Sequence, residues 1–377
     1  MKKDDCDDDL CVDTPHFRMR ANARWMLAAA GGFVACVLTV VGSIIWLRSS
    51  PPHETPIADR NGWSAEAFED ESTAQIVGSL PEFQIVGDNG EVIVQDNSKA
   101  NVRLWDAVIA VNGQHLPNVP QQVGDCVSWA YCHGAEFLIC IEMKTGPPGL
   151  EFHRLFPPYT YGLSRVQIGR GKIRGDGSCM AWAVAAGRDF GVLRSDADGV
   201  PAYSGTIARQ WGKEGPPRDL IEAAKMYRIG DSSPVRSADA VRDAICNLYP
   251  VPFGAGRIGF DRVAVKYGRL VASPPQGSWA HAQCVIGYDG SGAEPLFCVL
   301  NSWGPLAAGK SPLQGEPPGS YWITEKEMDF IARQGDAFAI SGFAGFKARK
   351  IDFKLTERVN PKPHRKEPGH VSVALGL

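Results

Sequence analysis

Three side chains in this 377-residue sequence have the types that nucleophilic acyl transfer requires: Cys126, His281 and Asn301. A cysteine attacks a carbonyl as its thiolate, and an imidazole can take the thiol proton and later return it. An asparagine side-chain oxygen can accept from one imidazole N–H and so leave the other ring nitrogen to face the sulfur. The three residues lie far apart in sequence, so only the fold can join them.

The elements that would do so are legible. Pro117 and Pro120 exclude a regular helix before Gly124, whereas Ala130, Gly134, Phe137 and Ile141 recur at helical spacing after Cys126. Cys126 is therefore expected to open a buried helix, with Asp125 as its N-cap. At that position the positive end of the helix would draw the thiol toward thiolate. A carboxylate at Asp125 would oppose this unless the first-turn N–H groups absorb its charge. His281 leads into the apolar run Ala282, Cys284, Val285, Ile286, closed by a turn at Asp289, Gly290 and Gly292. Leu296–Leu300 reads as the next strand and ends at Asn301. Pairing these as antiparallel neighbours brings His281 beside Asn301, with Trp303 placed to cover their hydrogen bond. His133 lacks such a strand context and reads as a core or cleft-edge histidine.

The blocks GDCVSWA, HAQCVIGY and NSWG, in the order Cys, His, Asn, resemble the signature segments of papain-like cysteine peptidases, and the resemblance runs over about 119–346. It implies an α+β, papain-like two-lobed fold: a helical lobe opening with the Cys126 helix and a β-barrel-like lobe carrying His281 and Asn301. It also implies peptide-bond hydrolysis (a cysteine-type endopeptidase) through a thioester acyl-enzyme, a peptide or protein as substrate, and no metal or organic cofactor. The stretch GDGSCMAWAVAAGRDFGVLRSD resembles the family's glycine-rich substrate-binding strand, which makes Gly175 and Gly177 cleft-wall backbone. Trp303 is counted with them as lining the site.

Two positions depart from the family pattern. The residue six before the nucleophile, where the family has an oxyanion-binding glutamine, is Pro120. A one-residue deletion in this loop would give the role to Gln121, with the Cys126 N–H as the second donor. Aligning instead on Trp129 would put Ser128 at the nucleophile position. Residues 126 and 128 are separated by about 200° around a helix, so only one of them can face His281. These departures keep open a catalytically inactive, peptide-binding papain-like domain. A cell-wall amidase or transpeptidase with the same triad is a further alternative.

The composition frames these readings. Hydrophobic residues make up 44% and charged residues 21%, which permits a large core, and the net charge of -3 without a basic stripe argues against nucleic acid. No C-x-x-C pair occurs among the ten cysteines, which disfavours a zinc ribbon or a thioredoxin-like site. Trp25 to Leu47 is a run of 23 residues without a charge, enough to cross a hydrocarbon core of roughly 30 Å. Arg18, Arg20 and Arg24 precede it, so a tail at 1–24 is expected in the cytoplasm and the catalytic part across the membrane. After the membrane helix at 25–47 come an expected linker (48–74), an extension with short strands (75–118), the peptidase domain (119–346) and a C-terminal tail (347–377). Within the extension, 91–96 and 104–111 alternate apolar and polar residues as strands do.

Overall fold

The structure, a computed structural model, describes residues 61–146, 150–274, 279–311, 315–342 and 344–349. The expected tail 1–24, the membrane helix 25–47 and most of the linker and C-terminal tail lie outside the described residues. Among the described residues no helix is long and apolar enough to cross a membrane.

Residues 61–74, assigned above to the linker, are instead folded onto the domain. They include α1 (Ala65–Phe68) and run into α2 (Glu71–Gly78), and each helix start is capped by a side chain. The Ser64 hydroxyl accepts from the Ala67 N–H and the Asp70 carboxylate from the Ser72 N–H. Thr73 ties them down, donating to the Ala67 carbonyl and accepting from the Trp182 indole at 2.6 Å. Polar composition suggested a linker, but two buried anchor points suffice to order it.

The extension also differs. After β1 (Asn101–Arg103), Trp105–Asn112 forms α3 and not a strand. Trp105 and Val108, one turn apart, are both 1% exposed, and Gly113 closes the helix at φ 73°. The run Trp-Asp-Ala-Val-Ile-Ala-Val fits either period, and burial of the three-residue spacing decides for helix. Within 91–96 the pairing amounts to an isolated bridge between Val86 and Val92.

Then comes α4 (Cys126–Thr145), buried at sixteen of its 20 positions. It is followed by α5 (Pro157–Gly162), a π-helical turn over Leu163–Ile168, α6 (Met180–Phe190), α7 (Gly205–Glu214) and α8 (Arg218–Ala224). The second half is mostly strand: β2 (Asp231–Pro234), α9 (Ala238–Cys246), β3 (Val251–Ala255), β4 (Arg262–Lys266) and β5 (Arg269–Ser273). It closes with β6 (His281–Asp289), β7 (Leu296–Leu300), β8 (Ser320–Thr324), α10 (Glu325–Ala332) and β9 (Asp336–Ser341).

Eight of these strands run in the order β2-β9-β3-β6-β7-β8-β5-β4, and β1 adds to β6. All pairs are antiparallel except β5 with β8. Every residue of β6 is buried, because α4 packs against one face of the strands around it while the main core fills the other. One apolar cluster surrounds the sheet, and others join α4, α6 and the helices around them. The mixed α and β architecture expected from the sequence is present. The seven described cysteines are buried and unpaired.

Candidate active site

Cys126 is the first residue of α4, and His281 is the first of β6. The register Cys284 to Leu300 between β6 and β7 carries the chain on to Asn301 opposite the start of β6. There the His281 Nε2 and the Asn301 Oδ1 lie 2.9 Å apart, a normal hydrogen bond in which the imidazole donates. Asn301 Oδ1 also accepts from the Ser302 N–H at 2.7 Å, which aims the carboxamide. Trp303 stacks on the imidazole, with ring centroids 4.5 Å apart and planes 26° from parallel. It is packed in turn by Trp279 and Phe260, so the face of the His281–Asn301 pair is dry. Nδ1 is the nitrogen this arrangement leaves for the sulfur.

The thiol of Cys126 faces the β6 backbone near Ala282, the residue after His281, whose N–H favours the thiolate. The Ser128 hydroxyl, fully buried, has no partner among the described residues. Of these two residues it is Cys126 that the fold sets against the start of β6. His133 sits inside α4 against Trp129, with burial pushing its imidazole down to about 3, and is a core histidine.

Asp125 does not cap the helix with its side chain. Its backbone carbonyl accepts from Ser128 and Trp129, while its carboxyl takes the Tyr203 hydroxyl at 3.1 Å. Burial pushes this carboxyl up to about 8, and Oδ1 has no partner, as suits a protonated group. Burial thus favours the neutral carboxyl, and no first-turn N–H of α4 bonds to it.

The loop before Cys126 is clamped to the loop after Asn301. The Gln121 N–H donates to the Ser302 carbonyl, its Oε1 accepts from the Ser302 hydroxyl, and its Nε2 donates to the Val123 carbonyl. Gln122 turns away and receives the Gly205 N–H. The glycine-rich strand is shaped by a residue that the sequence did not single out. Arg165, 7% exposed, donates to the carbonyls of Ile173, Gly175, Gly177 and Gly212. Four carbonyls on one guanidinium hold Gly175 and Gly177 in place, and Gly177 adopts φ 119°, a conformation that favours glycine.

The groove between this strand and the start of β6 is filled by the chain itself. Gly62 and Trp63 donate their N–H groups to the Ala280 carbonyl. On the other wall the Ser178 N–H donates to the Gly62 carbonyl at 2.9 Å, and the Ser64 N–H to the Ser178 carbonyl at 2.8 Å. Residues 62–64 thus run as a strand parallel to the wall at Ser178. Gly62 lies so close to the Gly124 carbonyl that a Cβ would stand 2.1 Å from it, and its N–H, bonded to the Ala280 carbonyl, is near enough to the Cys126 thiol to favour the thiolate.

Under this strap Cys126, His281 and Asn301 are all fully buried. The expected drop in the thiol pKa is not what the closed site produces. Loss of water pushes Cys126 up to about 12, outweighing the N–H groups that favour the thiolate. No alternation or periodicity marks Gly62-Trp63-Ser64. The one sequence signal is a tryptophan flanked by small residues in a polar stretch.

No protein-family model matches the chain, and no curated protein matches its sequence. Several solved structures of cysteine proteases are similar to it in course. Xylellain, a cysteine protease from Xylella fastidiosa, shares 16% identity over 69% of this chain and 95% of its own, with a TM-score of 0.40. Digestive procathepsin L2 of the Tenebrio molitor larval midgut shares 13% over 86% and 95%, with a TM-score of 0.46. The ragweed pollen cysteine protease Amb a 11, in its proform, shares 16% over 74% and 76%, again at 0.46.

Proposed function

We propose that the chain is a cysteine peptidase held latent by residues 61–64. The papain-like two-lobed reading places the reaction in the groove between the α4 side and the β6 side. The observation that carries it is the convergence of a helix-start thiol, an Asn-tethered imidazole and a groove lined by backbone hydrogen-bonding groups.

Once the strap leaves, water reaches Cys126, and the helix end and the Ala282 N–H favour its thiolate. His281 takes the thiol proton at Nδ1. The thiolate adds to a peptide carbonyl, whose oxyanion is bound by the Cys126 N–H and by the Gln121 carboxamide N–H. Collapse breaks the C–N bond as His281 gives its proton to the leaving amine, which leaves a thioester. Water, deprotonated by His281, adds to that thioester, and the thiolate departs as the acid product forms. Asn301 keeps the imidazole in its tautomer throughout. Gly175 and Gly177 hold the wall whose next residue, Ser178, pairs with the bound peptide, and Trp303 keeps water from the His281–Asn301 bond.

The uncharged run 25–47 and the arginines before it support anchoring in a bilayer, with the peptidase on the extracytoplasmic face. The reading is tested by opening the strap with Trp63→Ala and following hydrolysis of a quenched fluorescent protein substrate. Hydrolysis that Cys126→Ala abolishes supports it, whereas none in the opened chain favours a peptide-binding domain without activity. Complete burial of the thiol in the closed state is the observation on that second side.

A further inference from the structure

We propose that the slot occupied by Trp63 is the pocket through which this groove selects a tryptophan side chain, and that the strap holds that residue's place. The proposal rests on the reading of the groove as a peptide site and adds what the site recognises. Gly62 lies against Gly124, two residues before Cys126, and near the thiol, so Trp63 marks the side-chain position immediately next to the one at the nucleophile.

The slot is built for a flat ring. Gly254 and Gly256, two residues apart on and just beyond β3, face the indole. A Cβ on Gly254 would come within 2.4 Å of the Trp63 Cδ1, and one on Gly256 within 3.3 Å of its Cζ3. Phe68 closes the outer side, its ring centroid 5.7 Å from that of the indole. Any side chain at 254 would fill the space that the ring takes.

The end of the slot is chemically specific. The Asp336 carboxylate, fully buried, accepts from the Met180 and Ala181 N–H groups at the start of α6 and from the Trp63 indole N–H at 2.7 Å. A phenyl ring would fill part of the slot and leave that acceptor short of a donor, which is costly for a buried carboxylate. A pocket that hydrogen-bonds its ligand discriminates strongly against the analogue lacking the donor. An arginine could reach the carboxylate but would put a non-aromatic stem between the two glycine faces.

The test uses the full chain carrying Trp63→Ala and Cys126→Ala, titrated calorimetrically with acetyl-Gly-Xaa-Gly-amide peptides, whose symmetry removes any dependence on strand direction. Xaa is tryptophan, tryptophan methylated at the indole nitrogen, phenylalanine, arginine or alanine. The tryptophan peptide is expected to bind at least about tenfold tighter than each of the others. Gly256→Val should bring binding of the tryptophan peptide down to that of the alanine peptide. If that variant does not fold, the ligand series alone decides.

Equal binding of the tryptophan, N-methyl-tryptophan and phenylalanine peptides, tighter binding of the arginine peptide, or no binding at all overturns the proposal. Hydrolysis by the Trp63→Ala chain separates this outcome from the parent reading. Cleavage without tryptophan preference sinks the slot and leaves the peptidase. Tryptophan-selective binding with no cleavage does the reverse.

Discussion

Asn301 and His281 meet because a β-strand pair has a fixed register, and the turn between β6 and β7 was readable as Asp289, Gly290 and Gly292 in a polar break. The same holds for Cys126, whose helix announced itself by apolar residues spaced in turns of α4. What the residues next to these do was less legible. Asp125 has the chemistry of a cap, but its carboxyl is drawn to Tyr203, a partner supplied 78 positions later.

Burial raises the folded-state pKa of Asp125 to about 8, above its unfolded value. The folded chain therefore holds a proton that the unfolded chain has released, and stability falls as pH rises from about 4 to about 8. Thermal melts at pH 5 and pH 8 are expected to show this, with Asp125→Asn shrinking the difference. An unchanged difference would remove Asp125 as its source. In the opened chain His281→Ala is expected to lower kcat/KM by at least about a thousandfold, and Asn301→Ala by less, since it orients a base and does not replace it. Steady-state kinetics on the two variants would check the order.

At the scale of elements, the misreadings share a cause. Trp105–Asn112 satisfied a strand pattern as well as a helix pattern, and the choice was made by tertiary burial. Residues 61–64 form a strand only because Ala280 and Ser178 offer backbone partners on both sides, and no local rule encodes partners more than 100 positions away. Asp336 and the two glycines of the slot were invisible for the same reason.

Besides its backbone bonds the strap is held by the Trp63–Asp336 hydrogen bond and the fit of the indole, and a bond to a charged acceptor contributes about 1.5–3 kcal/mol. Trp63→Ala is thus expected to raise the rate of iodoacetamide labelling at Cys126 by about tenfold or more, measured by peptide mapping. Gly62→Val should act in the same direction, because its Cβ cannot coexist with the Gly124 carbonyl. Arg165→Met should loosen the wall at Gly175 and Gly177, raising KM more than it lowers the melting temperature. Parallel changes in both would make Arg165 a general fold residue.

Across the whole molecule the proposed catalytic groups come from three elements, the start of α4, the start of β6 and the end of β7, and the strap proposed to silence them precedes all three in sequence. Opening the groove exposes a thiol whose closed-state value of about 12 is a consequence of dehydration, so reactivity and accessibility should rise together. The uncharged run 25–47, proposed above as a bilayer anchor, precedes the strap in sequence. A protein with residues 25–47 removed should leave the membrane fraction while its groove chemistry stays unchanged.

The most direct test is the alkylation rate of Cys126 at pH 6 in the full chain carrying Trp63→Ala, compared with the same protein carrying His281→Ala as well. Cys126 is expected to react well ahead of the six other described cysteines, and that lead to vanish without the imidazole. A Cys126 that labels no faster than the buried thiols around it, or whose rate is indifferent to His281, would contradict the peptidase reading.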